Sequence, residues 1–235
     1  MVLIATNTVA QHQSKMIVEL VPGIHTLRIQ QEITFVNQSN DTLNSIVLND
    51  WNNAYSDKNT PLAKRFSDEF YRGFHLANDA ERGGTSNLTI LNFDKLFLSW
   101  NRPQEHPDLI TVELREKLAP NKSVTLFLTY FSKIPSNQFT KYGYATNGNL
   151  NLKNWYLTPS RFEHKQFVQQ SNENLDDIPN AFSNYEIEFE LPSNYSLNSN
   201  LNEIETIKLE NTKKIFLNAK NKPEAIVTVE PINSY

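Results

Sequence analysis

Between Thr26 and Val36 apolar side chains fall at alternate positions, Leu27, Ile29, Ile33 and Phe35, with Gln31 on the same face. Spacing of two places those side chains on one side of an extended strand. The alternation returns over 123–131, where Val124, Leu126, Leu128 and Tyr130 share one face and Thr125, Phe127, Thr129 and Phe131 the other. Further strands are expected at 16–20, 43–48, 88–91, 96–100, 109–114, 185–191, 203–209, 214–218 and 225–230. Turn signals such as Pro22-Gly23, Asn40-Asp41, Ala119-Pro120-Asn121 and Pro192-Ser193-Asn194 separate them. Strands of this kind are stable only when paired and covered on one face. The expected class is therefore mainly β: a saddle-like or β-sandwich packing of antiparallel strands.

One segment breaks the period. Asn59-Thr60-Pro61 offers an N-cap followed by proline in a first turn. Leu62, Phe66, Phe70 and Phe74 then recur every four residues. This predicts one inserted helix over 61–77, with Glu81-Arg82-Gly83-Gly84 leading away from it.

Composition narrows the function classes. Hydrophobic residues are 39% of the 235, enough for a sizeable core and against disorder of the whole chain. The net charge of −4 gives no basic excess to neutralise phosphates, so no nucleic-acid partner is expected. Cysteine is absent, which excludes disulfides, thiolate metal sites and cysteine nucleophiles, and leaves the redox compartment open. The 30 asparagines are scattered between apolar runs, which favours turn and loop use over an asparagine-rich disordered tract. No run reaches the length of a membrane span. Residues 1–14 read as a flexible N-terminus or a signal-peptide remnant, because Thr8-Val9-Ala10 resembles a cleavage site although no basic segment precedes it. An exported location, periplasmic or secreted, and a cytoplasmic one both fit. Residues 15–235 contain no repeat and no long linker, and are read as a single β-domain.

Motifs for chemistry are sparse. The histidines, His12, His25, His75, His106 and His164, include no pair four apart and none followed by Glu, so no HExxH zinc helix is present. Gly83-Gly84 lacks the Lys-Ser/Thr of a phosphate loop, and no Gly-x-Ser-x-Gly elbow occurs. Asp176-Asp177 is read as a solvated loop rather than a carboxylate pair. Glu186, Glu188 and Glu190 alternate with Ile187, Phe189 and Leu191 and are read as the wet face of a strand. The aromatic stretch Tyr142-Gly143-Tyr144 followed by Asn154-Trp155-Tyr156-Leu157-Thr158-Pro159 can either line a ligand groove or plug the core at a sheet end.

The order of several segments resembles the opening of M1-family zinc metallopeptidases. These are Met16–Pro22, His25-Thr26-Leu27, Glu32–Asn37, Asp41–Leu48, Leu118–Leu126, Asn154–Pro159 and Tyr185–Tyr195. Asp50–Tyr55 with Thr60–Phe66 is similar to variants from Bacteroidetes-like bacteria. The ordered set spans about residues 15–231. The resemblance implies the non-catalytic N-terminal β-domain of such a peptidase, with 225–230 similar to the strand that leads into the catalytic domain. It implies a C-terminal catalytic domain as partner, zinc and the general base in that domain, no cofactor in this chain, and a peptide substrate reached through an aminopeptidase parent. Asn154, Trp155, Tyr156, Tyr142 and Tyr144 are then the substrate-groove candidates. In the family the 153–159 segment holds a Glu or Gln that anchors the substrate amine. Tyr156 stands there instead, and a phenol does not supply an anionic partner. The alternative from a different class is a freestanding β-sandwich binding module for carbohydrate or protein, with Trp51, Trp100 and Trp155 as its ring candidates.

Overall fold

The computed structural model describes residues 12–21, 23–175 and 180–232. In chain order the elements are β1 (His12–Val21), β2 (Thr26–Val36), β3 (Leu43–Asn49), α1 (Pro61–Asp68), α2 (Gly73–Leu76), β4 (Gly84–Leu91), β5 (Trp100–Asn101), β6 (Leu109–Leu118), β7 (Ser123–Lys133), β8 (Gly143–Tyr144) and β9 (Leu150–Leu152). They continue with β10 (Thr158–Pro159), β11 (Phe162–Glu163), β12 (Gln166–Phe167), β13 (Ser183–Pro192), β14 (Tyr195–Ser199), β15 (Asn202–Lys208), β16 (Thr212–Lys222) and β17 (Val227–Pro231). A short 3-10 turn, Trp51–Tyr55, follows β3. The segment expected to be flexible, 1–14, lies outside the described residues up to position 11. Its last three residues instead begin β1, where His12 and Ser14 are buried.

The largest sheet has the order β15-β16-β13-β1-β2-β7-β4. Two four-stranded sheets, β10-β3-β6-β5 and β14-β17-β9-β8, and the small β11-β12 ribbon complete the architecture, and none closes into a barrel. Among the described residues every strand-to-strand pairing but one is antiparallel. The exception is β1 with β13, parallel from His12↔Ser183 to Glu19↔Glu190. Alternation dictates the inner face: Met16, Val18 and Leu20, then Leu27, Ile29, Ile33 and Phe35, then Ile187, Phe189 and Leu191 are all buried. They join Ile46, Leu48, Ile110 and Val112 of the second sheet and Leu150, Leu152, Val227 and Val229 of the third in one hydrophobic cluster. The outer face of β13 is wet as expected, with the Lys214 ammonium 2.6 Å from Glu188 and 3.8 Å from Glu190.

Gln31 is the polar member of the inner face and is buried. Its amide donates to Ser14 Oγ (2.9 Å) and to the Leu157 carbonyl (2.8 Å), and its carbonyl accepts from the Tyr130 hydroxyl (2.7 Å). That hydroxyl in turn accepts the Leu157 N–H at 3.1 Å. A buried amide is tolerated when its groups are satisfied, and this one ties the aromatic stretch to the largest sheet.

The single helix expected over 61–77 is two helices. Thr60 Oγ1 accepts the Ala63 N–H at 3.2 Å, with Pro61 in the first turn, so the predicted start holds. The helix stops at Asp68 because Phe70 adopts φ +59°. The Tyr71 N–H bonds the Phe66 carbonyl and the Phe70 N–H the Ser67 carbonyl, which is the double closure of a Schellman end. Tyr71 packs edge-on against Phe66, ring centroids 5.3 Å apart, which supplies the hydrophobic contact such an end requires. Phe70, counted in the period-four stripe, is 92% exposed, whereas Phe66 and Phe74 enter the core.

Candidate functional site

The aromatic stretch divides between core and surface. Trp155 is fully buried, donates Nε1–H to the Ala225 carbonyl at 2.9 Å, and packs edge-on against Tyr156 and Phe189. The Tyr156 hydroxyl accepts the Ala225 N–H at 2.7 Å. Tyr142 donates its hydroxyl to Asn52 Oδ1 at 2.7 Å, and Asn52 donates onward to Ser132 Oγ. Burial pushes the hydroxyls of Tyr142 and Tyr156 well above the ordinary phenol value, so both stay neutral donors and acceptors. Of the five substrate-groove candidates, Tyr142, Trp155 and Tyr156 are therefore buried packing residues, as the core-plug alternative has it. Only Tyr144 and Asn154 keep part of their surface. Tyr144 stacks on His25 with centroids 3.7 Å apart and planes within 6°. Asn154 sits at φ +60°, a conformation asparagine tolerates better than most side chains.

Above this floor lies a hollow of about 400 Å³, lined in part by Tyr55, Tyr142, Lys141, Lys153, Asn154 and Asn172. One wall is the irregular segment 168–175, held by a buried polar network. Asp108 is fully buried and accepts from Ser171 Oγ (2.7 Å) and from the Asn172 N–H (2.6 Å). His106 Nδ1 lies 2.9 Å from the same Ser171 oxygen. With Asp108 ionised the serine proton points to the carboxylate, and His106 then donates to Ser171 through Nδ1. Trp51 Nε1–H donates to the Gln170 carbonyl and Asn172 Nδ2 to the Trp51 carbonyl. Desolvation raises the Asp108 carboxyl to about 6. Beside it the buried Asp50 carboxylate receives Arg102 at 2.5 Å and Thr85 Oγ1 at 2.6 Å. Asp50, Asp108, Arg102 and Ser171 escaped the sequence reading. The one available signal was the polar cluster Asp50-Trp51-Asn52-Asn53 directly after a strand.

The His106–Ser171–Asp108 chain places serine in the middle with its proton directed to Asp108, so this imidazole is not set to take a proton from that hydroxyl. Among the described residues no three His, Asp or Glu side chains converge as a metal site. The other histidines serve locally: His12 stacks on Phe35 and accepts the Val36 N–H, and His75 meets Ser67. Of the tryptophans, Trp51 and Trp155 are buried and offer no ring platform to a sugar. Asp176-Asp177 lies outside the described residues. No helix among the described residues is long and apolar enough to cross a membrane.

The fold, with its open and mainly antiparallel sheets, resembles part of M1 zinc metallopeptidase structures. A mutant M1 zinc metallopeptidase from Deinococcus radiodurans superimposes with a TM-score of 0.51 at 13% identity, over 95% of this chain and 42% of that one. The M1 zinc metallopeptidase from Deinococcus radiodurans, and a two-domain M1 zinc metallopeptidase mutant bound to L-arginine, each give 0.50 at 13% identity and the same coverage. The chain thus spans less than half the length of the structures it resembles. No protein-family profile matches the sequence. No curated protein matches it either.

Proposed function

We propose that this chain is the non-catalytic N-terminal β-domain of an M1-type zinc metallopeptidase, with an aminopeptidase as parent. In this reading it packs on a C-terminal catalytic domain of the same polypeptide and helps wall the peptide groove. The observation that carries it is the coverage: 95% of the chain finds a counterpart in 42% of a two-domain peptidase fold. The ordered segments from Met16 to Tyr195 support the same reading, and Asp50–Tyr55 supports the Bacteroidetes-like variant. No donor set among the described residues fits a catalytic zinc, which needs three protein ligands. Zinc in this proposal therefore belongs to the catalytic domain, and no step of hydrolysis is assigned to this chain.

What the domain contributes is a surface. Asn154, Tyr144 and the hollow beside them are the parts of the candidate stretch that a substrate can reach. Trp155 and Tyr156 act behind them by holding Ala225 in place. The test is the reading frame downstream of residue 235. A frame encoding HExxH and a distal Glu supports the assignment, and the joined protein should release an aminoacyl dye in a chelator-sensitive reaction. A frame encoding an unrelated domain, or a joined protein without that activity, overturns it.

A further inference from the structure

The hollow beside Asn154 continues into a second one of about 570 Å³, and the two share Thr140, Lys141, Asn151 and Asn174 as lining. Together they form one trough with an unusual polar inventory. Asn137, Asn154 and Asn174 line it with side-chain amides that form no hydrogen bond to other described residues. Asn154 and Asn174 are both held at φ near +60°, which fixes the direction each side chain leaves the backbone. Lys141 and Lys153 also line the trough, and neither makes an ion pair among the described residues. No described carboxylate lines it. Glu224, outside the trough lining, has its carboxyl raised by partial desolvation, which the Lys153 ammonium opposes.

A primary amide offers both a donor and an acceptor. A row of such amides matches the N–H and C=O groups of an extended main chain and is indifferent to side-chain identity. An ammonium adds attraction for one carboxylate as a point charge. We propose that the trough binds an extended peptide by its main chain, with a carboxylate of that peptide seated at Lys141 and Lys153. The carboxylate comes from an acidic side chain or from a free C-terminus. The identification of the ligand as peptide rests on the groove-wall reading. The binding measurement needs only this chain, so its outcome is separate from that of the reading-frame test.

The experiment is calorimetric and NMR titration of the 235-residue chain with three probes: acetyl-Ala-Glu-Ala-amide, acetyl-Ala-Ala-Ala with a free C-terminus, and neutral acetyl-Ala-Gln-Ala-amide. We expect at least one carboxylate probe to bind about 5-fold more tightly than the neutral one, and the advantage to shrink with added salt. Whichever carboxylate probe gains identifies the source. The pair Lys141→Gln and Lys153→Gln should abolish that advantage and leave the neutral probe unchanged. Asn154→Gly with Asn174→Gly should weaken all three, glycine being chosen because it accepts positive φ without strain. Lys141 and Asn174 are exposed and Lys153 and Asn154 half-buried, and unchanged thermal midpoints verify that the variants fold. Absence of binding by all three probes overturns the proposal. So does equal affinity for charged and neutral probes, or wild-type binding by both sets of variants.

Discussion

Tyr156 shows how one side chain decides between two roles. Its ring packs between Trp155 and Tyr185, and its hydroxyl satisfies the buried Ala225 N–H. Tyr156→Ala is expected to destabilise the chain by ~3–5 kcal/mol, as large aromatic truncations in cores do. Tyr156→Phe should cost ~1–3 kcal/mol, because the ring stays while the N–H loses its partner. Denaturant unfolding checks both, and a Tyr156→Ala variant as stable as wild type would contradict the core role. Two buried titratable groups give opposed pH dependences. Asp108 holds its proton up to about 6 when folded, above its ordinary 3.8, so its contribution favours the fold below pH 3.8 and is lost as pH rises through 6. Burial lowers His12 from 6.5 to about 4, so its contribution is present above pH 6.5 and is lost as pH falls through 4. The two offset one another between pH 4 and 6. Asp108→Asn should leave thermal midpoints that rise with pH across that window, and His12→Gln should leave midpoints that fall. Parallel profiles for the two variants would refute the assignment.

At the scale of elements, the break between α1 and α2 is the informative one. Phe70 occupies a left-handed position that glycine takes at no steric cost, and its ring is in solvent. Phe70→Gly should therefore stabilise the domain by up to ~1 kcal/mol, whereas Phe66→Ala, in the core, should cost ~3–5 kcal/mol. Thermal unfolding of the pair measures the contrast. Thr60→Ala should cost ~1 kcal/mol through loss of the Ala63 cap. These elements also mark what the sequence discloses. The β2 strand was legible to the residue, because its alternation is strict and the inner polar member, Gln31, sits in phase with it. The helix start was legible from Thr60-Pro61. Its end was not, because a period-four stripe continues through Phe70 while the chain turns on hydrogen bonds that no side-chain pattern encodes. The short strands β8, β9 and β10 carry too few residues for a period. The network around Asp50 and Asp108 joins positions more than fifty residues apart, so composition near either gives no hint of the partner. Aromatic side chains likewise read the same whether they rim a groove or fill a core, and only packing separated Tyr144 from Tyr142.

For the whole molecule, the decisive feature is the parallel seam in the middle of the largest sheet. β1 finds β2 across a short turn, but its other edge is completed only by β13, which begins at Ser183. Contacts of such sequence separation make folding slow, in the ms–s range rather than μs, and stopped-flow refolding should place this chain there. A single submillisecond phase would contradict the seam as a late step. The seam also has a consequence during synthesis. A ribosome adding ~5–20 residues per second needs roughly ten to thirty seconds to move from the end of β1 to the start of β13. Throughout that interval the nascent β1–β2 hairpin carries an edge that only β13 completes, and such an unpaired edge is a ready template for other strands.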